Sequence, residues 1–485
     1  MSDVKVKKSN QWPNYAAVWR WHFFAGLFCI PFVIVLSVTG TIYLFKPQIE
    51  AWQERGYDQR SREHRVEHQV VQPVFDQVTA ALVHESGSKF AAVEVAAEPD
   101  QATRVIVQRG GERVRVYVDP STNEVLGSAI ESERLIAVVR KIHGELLLGK
   151  RGSYLVELAA SWTIVMVITG MVLWMPKQAR PAGVLYPRWS ATGKTFWKDM
   201  HSVGGFWVSG LILFLIATGL PWSTYWGDYF KTMRSVTGTA VVKQDWDGGH
   251  AEHEMDGKHD EHREHGEHAG HGENAEHQQH ANGAKPKPSG GPSWRTPVPD
   301  LDSYDLTLVN NAAAHASQLD WLPPVLVKPP TDGSTVWTIA SDTPNRPHRQ
   351  TMRWDAASQV MVDHETFAMR HWVDRVVGQG IALHEGQRFG LANQLIALTA
   401  TVGLVMLSST GIILWWRRRD QLGHSNRGLS PPASKANSQP REFSRKRFAI
   451  LAIVTSALAI YLPLFGLSLA AVLMVDRVAM RFLFD

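Results

Sequence analysis

Five apolar runs dominate the chain and limit what it can become: Phe23–Phe45, Ser153–Met175, Gly205–Trp226, Leu391–Trp416 and Phe448–Val475. About twenty apolar residues in helical form cross the ~30 Å hydrocarbon core of a bilayer, so five transmembrane helices are expected. A mean hydropathy of −0.16 conceals this segregation, because long polar segments separate the runs. Trp19, Trp21, Trp174, Trp222, Trp226, Trp415 and Trp416 crowd the ends of the runs, where aromatic belts form. The first run is too long for a signal-peptide core and is followed by Lys46-Pro47 instead of a small-residue cleavage site, so a retained anchor is expected.

Positive residues in short flanks resist translocation and so set the orientation. Lys5, Lys7, Lys8 and Arg20 precede run one; Lys177, Arg180, Arg188, Lys194 and Lys198 lie between runs two and three. Arg417, Arg418, Arg419, Arg441, Arg445, Lys446 and Arg447 lie between runs four and five. The N-terminal flank (1–22) and the links 176–204 and 417–447 are therefore assigned to the cytoplasmic side of the membrane. Segments 46–134 and 227–390, and the tail 476–485, are assigned to the outer side. Both long segments read as a helix followed by strands: Pro73–Ser86, then Ala91–Ala96, Arg104–Gln108 and Arg113–Val118; and Leu306–Ala316, then Ser334–Ala340, Gln350–Asp355 and Gln359–His364.

The chain repeats itself. His22-x3-Gly26 leads to Thr39-Gly40 and His201-x3-Gly205 leads to Thr218-Gly219, with eighteen residues from histidine to the second glycine in both. His143-x5-Gly149 leads to Thr169-Gly170 and His384-x5-Gly390 leads to Thr410-Gly411, with twenty-seven residues in both. The fold class is thus a mainly α membrane protein: a helical bundle with two α+β outer domains, built by internal duplication with a fifth run added. Eighteen residues make five whole turns, so His22, Gly26 and Gly40 share one helix face, as do His201, Gly205 and Gly219. Small residues on the histidine's stripe leave room for a flat ligand, or serve only to pack helices. Twenty-seven residues make seven and a half turns, so His143 and His384 are placed by topology, on an amphipathic lead-in such as Leu135–Leu148.

Topology pairs the histidines between repeats: His22 with His201 at the cytoplasmic ends, His143 with His384 at the outer ends. Two neutral imidazoles on one haem iron leave no open position, which suits electron transfer. Cys29 is the only cysteine, which excludes disulfides within the chain and covalent Cys-x-x-Cys-His attachment, so any haem is held non-covalently. Arg20, Lys198, Arg140, Lys141 and Arg388 lie near the histidines, as propionate partners or as ordinary interfacial anchors.

These motifs resemble the PepSY-associated transmembrane proteins, a family with haem-containing ferric-siderophore reductases among its members. The resemblance rests on Arg20-Trp21-His22-x3-Gly26, Asp199-Met200-His201, His143-Gly144-Glu145-x3-Gly149, His384-Glu385-Gly386-x3-Gly390 and the turn at Tyr117–Gly127. It implies a place in the bacterial inner membrane with PepSY-like outer domains in the periplasm, two haem b groups, and reduction of a periplasmic ferric siderophore or other ferric chelate. The chain has neither a Gly-x-Gly-x-x-Gly nucleotide fingerprint nor a phosphate loop, so electrons would come from a cytoplasmic donor or from quinone. Nothing points to nucleic acid; membrane lipid is the evident general partner.

Two features stand outside the repeat. Residues 243–296 form a low-complexity insert with nine histidines from His250 to His280. Of these, His259, His262, His265, His268 and His271 recur every third residue, a pattern that binds transition metals loosely or merely makes a solvated spacer. Glu157 sits early in run two, as a functional acid within the bilayer or a cheaper one at its interface. The alternatives to electron transfer are a metal-binding or metal-sensing protein using the insert, and a non-redox PepSY scaffold.

Overall fold

The computed structural model describes residues 15–64, 70–96, 98, 100–175, 181–239, 298–422 and 445–484. The His-rich insert, including His259, His262, His265, His268 and His271, lies outside the described residues.

The first half folds as α1 (Tyr15–Leu44), α2 (Lys46–His64), α3 (Val74–His84), β1 (Lys89–Val95), β2 (Thr103–Arg109), β3 (Glu112–Val118), β4 (Val125–Ile130), α4 (Leu135–Glu145) and α5 (Gly149–Trp174). The second half repeats that order as α6 (Gly193–Gly219), α7 (Thr224–Val236), α8 (Val309–Ala316), β5 (Val325–Lys328), β6 (Val336–Ser341), β7 (Gln350–Asp355), β8 (Val360–Thr366), α9 (Trp372–His384) and α10 (Leu391–Leu422). The chain ends in α11 (Arg445–Tyr461) and α12 (Pro463–Phe484). Among the described residues, four helices are long and apolar enough to cross a membrane: Val18–Leu44, Gly149–Trp174, Gly193–Trp222 and Leu391–Arg418. They form one bundle, with α1 packed on α5 and α10, and α6 packed on α10 and α5.

The fifth run departs from the single span expected. It bends at Pro463, which cannot donate the backbone hydrogen bond that would continue the helix. The N–H groups of Leu462 and Gly466 on either side still donate to Leu458 and Leu462 (2.8 and 3.0 Å). Leu462 and Phe465 bury against Leu220, Trp226 and Trp162.

The two outer segments also differ from two separate domains. Their strands form one antiparallel sheet of eight, in the order β4-β3-β2-β1-β5-β6-β7-β8. β1 and β5 meet at its centre, with Val93 opposite Val327 and Val95 opposite Val325. Pairing there satisfies backbone groups that each four-stranded unit alone would leave on an open edge. α3 and α8 lie side by side on one face, where Val78, Phe90, Val105, Val116, Val309, Val327, Trp337 and Ile339 form a shared core. The β3–β4 and β7–β8 hairpins turn alike. Asp119 accepts from the Ser121 and Thr122 N–H groups, and Asp355 from those of Ala357 and Ser358. Asn123 and Gln359 both take positive φ (63° and 59°).

Candidate functional site

Each of the four repeated histidines rests on one of the four Thr-Gly pairs, always on another helix. His22 Nδ1 on α1 lies 3.1 Å from Thr169 Oγ1 on α5, and His201 Nδ1 on α6 lies 3.1 Å from Thr410 Oγ1 on α10. His143 Nδ1 at the end of α4 lies 3.0 Å from Thr39 Oγ1 on α1; His384 Nδ1 at the end of α9 lies 3.0 Å from Thr218 Oγ1 on α6. Each glycine makes room for the ring. A Cβ added at Gly170, Gly40, Gly219 or Gly411 would come within 3.0, 3.2, 3.2 or 3.7 Å of the Cε1 of His22, His143, His384 or His201.

Hydrogen-bond bookkeeping fixes the tautomer. Each threonine hydroxyl donates its proton four residues back along its own helix, to Val165, Val35, Phe214 or Met406 (2.7–2.8 Å). Its oxygen can then only accept, so the histidine Nδ1–H is the donor. Backbone carbonyls share that proton: Met166 with His22 (3.0 Å) and Leu407 with His201 (3.2 Å). Leu36 and Leu215 hold the corresponding positions beside His143 and His384. All four rings are thereby set with Nε2 unprotonated, the state a metal-bound imidazole needs, and the acceptors behind Nδ1 hold each ring's orientation.

The rings pair as the topology required. His22 and His201 have centroids 6.2 Å apart with planes at 83°; His143 and His384 are 6.4 Å apart at 75°. Two imidazoles on opposite sides of one metal, with bonds of about 2 Å and roughly 1.1 Å from nitrogen to ring centre, have centroids about 6.3 Å apart. Both pairs therefore fit bis-histidine ligation. Among the described residues no cluster of three or more His, Cys, Asp or Glu side chains suits a metal ion. A bare divalent ion would lack ligands at a two-histidine site, whereas haem brings four of its own, so the donor set fits haem. Eighteen residues of α1 separate His22 from Gly40, the seat of His143. At 1.5 Å per residue the two pairs lie about 27 Å apart along the bundle.

This placement corrects the single-stripe reading. Gly40 and Gly219 do share a helix face with His22 and His201, but they seat His143 and His384 at the other end. Of the basic residues near the histidines, Arg388 donates to Gln379 Oε1 (2.8 Å) and stacks over Phe389.

The surroundings hold groups that spacing did not reveal. At the end away from the sheet, buried Asp199, two residues before His201, receives Arg188 Nε and Nη2 at 2.7 Å each. That pair closes the 181–192 loop, which Trp174 and Trp207 also hold through Nε1–H bonds to Val184 and Leu185. At the sheet end, Arg234 of α7 grips Asp374 in the first turn of α9 (2.6 and 3.1 Å), both buried. In the first half the charges are exchanged: Glu54 of α2 receives Arg134, at the start of α4 (2.6 Å), with Arg104 and Tyr117 as further donors. Glu157 is buried. Its Oε2 accepts from the Tyr225 and Trp226 N–H groups (3.1 and 3.2 Å), holding the start of α7 against α5. This is a structural role that a lone acid in an apolar run does not announce.

A comparison with curated proteins finds none that matches the chain. The duplicated histidines, the fused sheet and nearly all of α1 to α10 lie within a match to the PepSY-associated TM region that covers residues 19–418, with α11 and α12 beyond it. The chain is a multi-pass membrane protein and belongs to that family.

Proposed function

We propose that this protein is a transmembrane oxidoreductase. It would hold one haem b between His22 and His201 and another between His143 and His384, and carry electrons across the inner membrane to periplasmic ferric iron. The observation that carries this reading is the fourfold recurrence of one device: a histidine whose Nδ1–H is held by a Thr-Gly seat, facing a second histidine at 6.2 or 6.4 Å. Bound there, haem supplies reversible one-electron chemistry at each end of the bundle. The polypeptide fixes the tautomer, seats the rings and surrounds them with apolar helix. The Lys and Arg residues flanking the spans favour a cytoplasmic position for the His22/His201 end and a periplasmic one for the sheet. The acceptor that best suits this arrangement is a ferric siderophore. One electron per iron gives the ferrous ion, which hard oxygen chelators hold far less tightly. The donor would be a cytoplasmic reductase or the quinone pool.

Optical spectroscopy of the purified protein tests this directly. A reducible low-spin b-type spectrum is expected, about halved in His143→Ala/His384→Ala and abolished when His22 and His201 are also replaced. Absence of the spectrum, or its survival in the quadruple variant, overturns the proposal. Anaerobic mixing of the reduced protein with ferric chelates, cupric salts as comparison, then tests the acceptor.

A further inference from the structure

Beside the His143/His384 pair lies a cavity of about 820 Å³ that the haem reading does not use. Its walls come from α6, α7, α9, the turns that lead into α7 and α9 (Pro221, Phe367, Ala368), and Tyr461 at the end of α11. The volume falls within the range of ligand pockets, roughly 300–1,000 Å³. Most of the wall is apolar and aromatic, including Phe214, Trp226, Phe230 and Trp372. Trp226 stacks on Phe230 (5.1 Å, 10°) and meets Tyr461 edge-on (5.4 Å), so one wall is a rigid aromatic surface.

Three features say what such a cavity takes. Phe214, Trp372, Val376 and Tyr461 are exposed (42, 62, 61 and 51 %) where a membrane-spanning helix ends, so the mouth opens toward lipid and a lipid-soluble molecule would enter. Polar groups interrupt the wall: Arg375, the Thr218 and Tyr461 hydroxyls, and Gln379, whose Oε1 is taken by Arg388 and whose amide N–H groups remain as donors. Finally, Thr218 and Leu383 line the cavity, and Thr218 is the residue that holds His384 Nδ1. An occupant would lie one side chain from the sheet-end histidine pair.

We infer that this cavity binds an isoprenoid quinone, with its ring against the Trp226–Phe230 wall and its tail leaving past Trp372 and Val376 into the bilayer. A flat ring with apolar faces and two carbonyl oxygens matches stacked aromatic walls with a few hydrogen-bond donors. A phospholipid acyl chain would use neither the donors nor the ring surface. As a binding site the proposal stands on the cavity alone; as a place where quinone meets the electron path, it rests on the haem reading.

Full-length protein in lipid nanodiscs, photolabelled with a short-chain azidoquinone and mapped by peptide mass spectrometry, tests it. Label is expected on the peptides of α7 and α9, removed by unlabelled quinone. Val376→Trp, which fills the cavity from the lipid side, should reduce labelling by about tenfold or more. Ala217→Phe fills it from α6 and guards against one variant that fails to fold. Both variants should keep the wild-type b-type spectrum. Label elsewhere, labelling unchanged in both variants, or recovery of phospholipid only with no competition by quinone overturns the site. Cavity labelling in protein that shows no b-type spectrum would sink the haem reading and leave the site standing.

Discussion

A threonine hydroxyl inside a membrane helix ordinarily satisfies itself by donating to the carbonyl four residues back. Thr39, Thr169, Thr218 and Thr410 all do so, and the spare lone pairs then fix a histidine from another helix. Replacing Thr39 and Thr218 with valine keeps their shape and removes the acceptor. On the proposed haem reading, the variant should hold haem at the sheet end about 10–100-fold more weakly while leaving the His22/His201 end intact; haem transfer to apomyoglobin, followed optically, measures this. Thr169→Val/Thr410→Val should reverse the pattern. The Thr-Gly pairs were visible in the sequence as part of the repeat. Their partners were not, because 104 to 209 residues separate each threonine from its histidine and no local spacing encodes a contact between helices. Helical phase correctly put Gly40 on the His22 face, yet phase says nothing about which neighbour a face meets.

At the scale of elements, each helix that delivers a sheet-end histidine begins at an ion pair: the half-buried Arg134–Glu54 for α4 and the buried Arg234–Asp374 for α9. Opposite charges at equivalent places do the same work, so sequence similarity between the halves conceals the correspondence. Asp374→Asn leaves the Arg234 charge buried with a weakened partner and should cost about 3–5 kcal/mol, read as a lower melting temperature. The exchanged pair Arg234→Asp/Asp374→Arg should recover part of that loss. The sheet adds a pH dependence. Burial pushes the Glu131 carboxyl up, but Arg115 and Arg134 outweigh it and hold it below its ordinary value. A depressed acid stabilises the fold above its unfolded pKa and loses that contribution as pH falls through the folded value. Thermal stability of the sheet should therefore fall in acid, and Glu131→Gln should flatten the fall; melts across pH check both. Strands Gln350–Asp355 and Arg113–Val118 were legible from alternation, since one face packs under α3 and α8. β5 was missed because it has four residues and is buried along most of its length, leaving no alternation to read. Pro463 was in plain sight, but hydropathy counts a proline among apolar neighbours as no interruption.

For the whole molecule, the duplication was legible from four matched intervals, whereas the union of the outer domains was not, because backbone pairing between β1 and β5 leaves no motif. The halves meet along that seam and through the packing of α1 on α10 and α5 on α6. Co-expressed as separate chains cut between 176 and 180, in the link joining α5 to α6, they should reassociate and co-purify through an affinity tag on one. Proline in place of Leu326, which faces Glu94 across the seam, should abolish that recovery by removing a ladder hydrogen bond. The palindromic strand order has a historical consequence. Antiparallel pairing of equivalent strands, with α1 packed on α10 and α6 on α5, is the arrangement a two-fold symmetric pair of half-length chains would adopt. In such a pair every mutation strikes both copies at once. Joining the copies freed each to drift alone, so one could acquire an arginine where the other keeps a glutamate, and a lipid-facing hollow could open on one flank without its mirror image weakening the other.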